Sequence, residues 1–266
     1  MKISIIGGGN MGEAMLNAVL AKGISSKEEV AVSDISQTRR EHLKQKYGIT
    51  VTDDNRQAVG KGDIVILAIK PQNLAEVMAG LNGAFNSPQL VLSIIAGARV
   101  DTLCQGLSYR RVVRVMPNTP AQIGEGVSVW TATPVVTEEQ RKWAGSILGA
   151  MGRELYVEDE KCIDMATAVS GSGPAYVFLL AEALADAAVK IGLSYDVARE
   201  LVEQTVFGSA KFMQYSDKLP AELRRMVTSP GGTTAAALAR LEEGRFTELI
   251  AEAVTAAYRR ARELGS

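Results

Sequence analysis

Close to the start of the chain the apolar run Ile3-Ser4-Ile5-Ile6 passes straight into Gly7-Gly8-Gly9-Asn10-Met11-Gly12, and a helical apolar pattern over residues 11–21 follows at once. A strand that turns into a helix within so few residues must carry that helix back against a sheet. In a G-x-G-x-x-G turn the first glycine, Gly7, permits the tight turn, and the second, Gly9, lets backbone approach a pyrophosphate. The third, Gly12, lets helix and strand pack closely. The helix start at Asn10 and Met11 then offers free N–H groups to an anion. A glycine turn alone is a weak signal, because many such turns bind nothing. The strand before it and the helix after it make dinucleotide binding the expectation here.

The alternation continues to about residue 98. Apolar runs at 30–33, 64–68 and 90–94 are separated by helical patterns at 37–47 and 73–81, and residues 112–116 and 127–131 supply later strands. Short strands alternating with helices predict βαβ units on a mostly parallel, doubly wound sheet. After about Glu160 strand signals stop, and Ala-rich helices are expected over 175–191, 195–215, 220–227, 234–241 and 247–264. The run from Leu179 to Val189 is small and apolar on most faces, so it needs burial on two sides, which points to a subunit interface. The expected organisation is an α/β dinucleotide-binding domain over 1–160 and an all-α dimerisation and substrate-binding domain over 161–266.

Composition removes several classes. With 29 Lys+Arg against 30 Asp+Glu and no basic block, the chain lacks the footprint of a nucleic-acid binder. Small molecules and other subunits are the expected partners. Cys104 and Cys162 form no CxxC and His42 is the only histidine, so neither a metal site nor a disulfide framework is expected, and a reducing cytoplasm fits. Residues 3–6 are too short an apolar run for a signal peptide. The charge-free stretch 165–181 is interrupted by Ser170-Gly171-Ser172-Gly173-Pro174, so no membrane span is expected. No Ser-His-Asp or Cys-His set assembles around His42, which disfavours hydrolase chemistry.

Further motifs fall where open α/β sheets bind ligands, at the carboxyl ends of strands. Asp34 ends the second strand about 22 residues after Gly12, where an acidic side chain accepts hydrogen bonds from the adenosine ribose and favours NADH. Ser33, Ser36, Arg39 and Arg40 surround it and offer hydroxyl and guanidinium groups to the 2′-phosphate of NADPH. The other reading of Asp34 is a turn or helix cap. Ala68-Ile69-Lys70-Pro71, Ala96-Gly97 and Asn118 within Met116-Pro117-Asn118-Thr119-Pro120 end three more strands. Each could be an ordinary turn, but together at one sheet edge they suit a nicotinamide. In the helical half, Ser170–Pro174 and Thr228–Thr234 each precede a helix, as anion cradles or as simple caps. Reduction of an imine needs no strong base, and a hydroxyl donor suffices.

Taken in order, Ile6–Gly12, Ala68–Pro71, Met116–Pro120, Ser170–Tyr176 and Ser229–Thr234 resemble the pyrroline-5-carboxylate reductases over essentially the whole chain. The stretch from Leu223 through Thr228, Gly232, Thr234 and Leu238 to Glu242 is the most specific part. The resemblance implies a Rossmann domain followed by a helical domain that interlocks with a second subunit, often in a ring of five dimers. It also implies hydride transfer from NADPH or NADH to C5 of (S)-1-pyrroline-5-carboxylate, giving L-proline. By the same resemblance Ser229, Gly231, Gly232, Thr233 and Thr234 hold the substrate carboxylate, with Thr234 facing the ring nitrogen. Asn55 contacts the cofactor, and Glu160 lies on the substrate side. Asp34 departs from the hydroxyl residue of NADPH-using relatives. A reductase of another cyclic imine or of a hydroxy acid, or a non-catalytic dinucleotide-binding protein, shares the first-half pattern. The hydroxy-acid enzyme would want a basic catalyst that no motif of the helical half supplies.

Overall fold

The computed structural model describes residues 1–265. They form two compact units, residues 1–172 with 257–265 and residues 173–256.

The first unit is built on eight strands: β1 (Ile3–Ile6), β2 (Val30–Ser33), β3 (Thr50–Thr52), β4 (Ile64–Leu67), β5 (Leu90–Ser93), β6 (Val112–Met116), β7 (Gly126–Ala132) and β8 (Gly152–Tyr156). Their order is β3-β2-β1-β4-β5-β6-β7-β8, with every neighbouring pair parallel except β6 and β7. The order reverses beside β1, so β1 and β4 flank the switch point at which such sheets bind ligands. Helices α1 (Asn10–Ala21), α2 (Gln37–Tyr47), α3 (Asn55–Val59), α4 (Leu74–Leu81), α5 (Val100–Leu107) and α6 (Glu138–Gly149) complete the two layers.

The period-2 alternation of strands sorts the core. Ile3, Ile5, Ile64, Ile66, Leu90 and Leu92 join Met15 and Leu16 of α1, Leu43 of α2 and Ile147 of α6 on one face. Ile6, Val65, Leu67 and Val91 join Val59 of α3, Leu81 of α4 and Leu103 and Leu107 of α5 on the other. Strands covered on both faces read as unbroken apolar runs, which is why β1, β4 and β5 were visible in the sequence. Each fully buried Ile or Leu contributes about 1.5–3 kcal/mol. The one polar interruption of β1, Ser4, is buried and donates to the Ala58 carbonyl at 2.6 Å.

The contact-defined boundary falls later than residue 160. Helix α7 (Lys161–Ala166) packs on β6 and β7, and ion pairs from Arg114 of β6 to Glu160 and Asp164 tie it there. The last turn of the C-terminal helix returns to the same unit, with the Leu264 carbonyl lying where a Cβ on Gly97 would have to go.

The Ser170–Pro174 segment corrects an expectation, because it is neither a break nor a loop. Residues Thr167–Gly171 form a π turn that leads through Ser172 into α8 (Gly173–Lys190). Ser172 N–H donates to the Thr167 carbonyl and Ser170 Oγ to that of Ala166, so the groups of the expected anion cradle are spent inside the helix. Pro174 stands in the first turn of α8, where a missing N–H costs nothing. By length and composition alone, the helical stretch Lys161–Lys190 is long and apolar enough to cross a membrane.

The second unit contains α8, α9 (Tyr195–Tyr215), α10 (Pro220–Met226), α11 (Thr233–Glu243) and the start of α12 (Phe246–Leu264). Helices α8 and α9 pack against each other. Even so, α8 has no buried residue, and Phe178, Leu179, Leu180, Leu184, Leu201, Phe207 and Phe212 are exposed in the single chain.

Candidate active site

The parallel strands β1, β2, β4, β5 and β6 end at one edge of the sheet, and backbone hydrogen bonds carry their ends into register. Gly7 N–H donates to Ser33, Ala68 N–H to Ile6, and Ile94 N–H to Leu67. At the glycine turn Gly7 has φ +99°, and a Cβ there would lie 2.6 Å from the Ala68 carbonyl oxygen. A Cβ on Gly12 would collide with the Gly7 carbonyl oxygen, so turn and helix are in contact at that point. Gly9 is different: a Cβ there would meet nothing within 4 Å. Gly9 also begins α1 without any side-chain cap, leaving the first-turn amides at Asn10 and Met11 beside open space. That is the arrangement a pyrophosphate requires, and the residues present fit a dinucleotide.

Asp34 lies beside this turn. Its Oδ2 accepts from Gly8 N–H and its Oδ1 from Ser36 N–H, each at 2.8 Å. The cap of α2 is Ser36, which accepts from Arg39 N–H, so Asp34 does not cap that helix. Both carboxylate oxygens keep acceptor capacity for a ribose hydroxyl. Next to it, buried Ser33 donates through Oγ to Asn55 Oδ1 at 2.6 Å, which brings two of the sequence-predicted residues together.

The remaining strand-end residues have other local roles as well. Lys70 and Pro71 are exposed, whereas Ala68, Ile69, Ala96 and Gly97 are half-buried. Asn118 Oδ1 accepts from Val127 N–H at 2.9 Å and so fixes the loop after β6.

Glu160 is engaged within its own unit. Its Oε1 accepts from Val100 N–H and from Arg114, both at 2.8 Å, while the other arm of Arg114 reaches Asp164 at 2.6 Å. Arg114 is only 2% exposed, and this fork lines a polar cavity of about 520 Å³ that also takes in Arg99, Tyr258 and Arg262. Sequence reasoning did not pick out Arg114. The available signal was a single arginine in Val112-Val113-Arg114-Val115-Met116, an apolar strand in which a charge must find buried partners.

The loop before α11 can be described by itself. Gly231 has φ +70°, Gly232 N–H donates to the Ser229 carbonyl, and Gly232 is the N-cap of α11 with no side chain capping the helix. Thr233 and Thr234 are therefore the first two helical residues, and Thr234 is not the cap. Ser229, Gly231 and Thr233 are exposed, while Gly232 and Thr234 are half-buried. An uncapped helix start flanked by Ser and Thr hydroxyls suits a carboxylate.

A switch-point glycine turn, an acidic residue after β2 and uncapped amides at α1 define a Rossmann-type NAD(P)-binding oxidoreductase. Comparison with known proteins narrows the class. Residues 160–264 match the family model described as pyrroline-5-carboxylate reductase dimerisation, and residues 2–97 match one described as NADP oxidoreductase, coenzyme F420-dependent. The pyrroline-5-carboxylate reductase of Synechocystis sp. is 42% identical over 100% of this chain and 98% of its own length. That of Arabidopsis thaliana is 37% identical over 99% and 95%. The solved structure of the enzyme from Coxiella burnetii superposes with a TM-score of 0.92 at 38% identity, covering 100% of this chain and 98% of the other. The Plasmodium falciparum pyrroline carboxylate reductase with NADP bound gives 0.90 at 32% identity, with the same coverage. The chain belongs to the pyrroline-5-carboxylate reductase family.

Proposed function

We propose that the chain reduces (S)-1-pyrroline-5-carboxylate to L-proline, the last step of proline synthesis, as an NAD(P)H-dependent oxidoreductase. The observation that carries this reading is the full-length identity of 42% to a pyrroline-5-carboxylate reductase, with the glycine turn and the loop before α11 both intact. Bound NAD(P)H supplies a hydride. The C5=N double bond is lost as hydride enters at C5, and the nitrogen, already protonated in the iminium form, leaves as a secondary amine.

The chain's own work is to bind and align. Gly7, Gly9, Gly12 and the α1 amides at Asn10 and Met11 hold the pyrophosphate. Ser33, Asp34 and Asn55 hold the adenosine side, and the loops Ala68–Pro71, Ala96–Gly97 and Asn118 flank the nicotinamide. Asp34 makes NADH acceptable while NADPH remains usable. Ser229, Gly231, Gly232 and Thr233 take the substrate carboxylate, and the Thr234 hydroxyl bonds the ring nitrogen. Glu160 acts on the substrate side by holding Arg114 and the start of α5. The exposed apolar faces of α8 and α9 support a homodimer formed through the segment that matches the dimerisation model, in preference to a membrane span through the same helix. A ring of five dimers is the larger assembly the family resemblance leads us to propose. The two free cysteines, Cys104 and Cys162, suit a cytoplasmic setting.

The test is oxidation of NADH and NADPH by the purified protein with a panel of five- and six-membered cyclic imino acids and of 2-oxo acids. Turnover confined to the five-membered 5-carboxylate is expected. Turnover of only a hydroxy-acid couple, or binding without turnover, overturns the assignment.

A further inference from the structure

The glycine turn is bordered by a charge cluster that the proposed reaction does not use. Glu13, in the first turn of α1, accepts from Lys46 at 2.9 Å and from the Tyr47 hydroxyl at 3.0 Å, and lies 3.2 Å from His42 Nε2. It also pairs with the Arg39 guanidinium. Burial pushes this carboxyl up, but hydrogen bonds from Lys46, His42, Tyr47 and Arg39 outweigh it and hold the group at about 2. Glu13 is thus an anion at any working pH.

Arg39 has a second contact, from Nε to the Gly8 carbonyl. Gly8 is therefore bracketed, with its N–H on Asp34 and its C=O on Arg39. This puts the guanidinium one peptide unit from the carboxylate expected at the ribose. The other guanidinium of the segment, Arg40, donates to the Asp34 carbonyl at 2.7 Å and the Ile35 carbonyl at 3.1 Å, and lies 3.5 Å from Asp53. No other arginine occurs between Asp34 and Gly48. A 2′-phosphate, with its doubled charge and fork-like acceptors, is best matched among the groups around Asp34 by one of these two guanidiniums. Arg39 is the nearer to the turn, and among the described residues its side chain is held by Glu13 and the Gly8 carbonyl.

We propose that Glu13 is a positioning residue for cofactor specificity: by holding Arg39 against the Gly8 carbonyl it withholds that guanidinium from a 2′-phosphate, and so favours NADH over NADPH. The inference rests on the reading that Asp34 faces the adenosine ribose.

The test is the pair of dissociation constants for NADPH and NADH, titrated by reduced-nicotinamide fluorescence on the intact enzyme, for wild type, E13Q, E13D, E13Q/R39A and D34S. E13Q should tighten NADPH about three- to tenfold, the net size of one ordinary hydrogen bond, with NADH nearly unchanged. E13D, which keeps the charge but loses reach, should move the same way by less, and serves if E13Q folds poorly. Adding R39A should abolish the gain. An equal change for both cofactors would mean a general effect on the turn and overturns the proposal. A gain that survives R39A would trace to the field of the Glu13 charge, and it overturns the proposal too. D34S should itself shift the ratio about tenfold toward NADPH. If D34S moves the ratio and E13Q does not, the Glu13 role alone falls. If neither does, both fall, and if only E13Q does, the Asp34 reading fails and the Glu13 proposal, which rests on it, falls with it.

Discussion

Thr234 is the second residue of α11, and the cap position belongs to Gly232, so its hydroxyl is not committed to holding the helix start. That leaves alignment of the ring nitrogen as its proposed task, with relay of a proton from water onto the secondary amine once hydride has been delivered. Thr234→Ala should lower kcat by ~10²-fold, the low end for a positioned proton donor, with little change in KM for the cofactor. Thr234→Ser should keep much of the activity. Near-normal kcat in the alanine variant, measured beside a melting curve, would remove Thr234 from the chemistry. Glu13 makes a prediction of another kind. A carboxyl that drops from 4.5 to about 2 on folding contributes stability that is fully present above 4.5 and is lost as pH falls through 2. The melting temperature of wild type should therefore exceed that of Glu13→Gln at neutral pH, and the gap should close on acidification toward pH 2. A gap that stays constant across that range would show that the carboxyl gains nothing from its partners.

Among the elements, β6 carries a buried charge, Arg114, with Glu160 and Asp164 as partners. Arg114→Met should destabilise by about 3–5 kcal/mol, since it strands two acidic groups in a site built for a fork, and neutralising both acids in the same chain should recover most of the loss. Urea unfolding of the single and triple variants measures both, and an unchanged midpoint for Arg114→Met would show that the fork is solvated. A lone arginine in the apolar run of β6 signals that buried partners exist but not which, because they are 46 and 50 residues away and meet it only when α7 docks on the sheet. The Glu13 cluster escaped for the same reason. The glycine turn was legible because its chemistry is local, and β1, β2 and β4 to β7 because burial leaves mostly apolar runs, unbroken in β4 and interrupted by Ser4 in β1, Arg114 in β6 and Ser128 and Thr131 in β7. Strand β3, three residues long and half-exposed, and β8, mostly exposed along Arg153–Tyr156, carry no such pattern. Helix α6 did leave a trace that went unread, the Thr137–Gln140 capping box, with hydrogen bonds at 3.2 and 3.1 Å. Glycine and proline at Ser170–Pro174 misled in the other direction, since a π turn absorbs them without breaking the helix.

At the scale of the whole molecule, the two units differ in what they bury. The sheet unit has two continuous cores, while α8 places Phe178, Leu179, Leu180 and Leu184 on its surface with no buried residue to anchor it. Exposed apolar area on that scale marks an interaction surface. A helical pair with so little core of its own derives its stability from what covers it. Because residues 160–264 match a dimerisation model, a second copy of the chain is the proposed cover, and folding and association should be linked. Leu184→Glu places an unpaired charge in the middle of α8, where burial costs several kcal/mol. The variant should sediment as a monomer or unfold, and melt well below wild type. Gln37→Glu, on the solvated helix α2, should leave sedimentation unchanged. Concentration decides between this and an internally stable helical unit. A linked dimer loses melting temperature on dilution, whereas a wild-type protein that sediments as an active monomer and melts at one temperature whatever its concentration would show that α8 needs no partner.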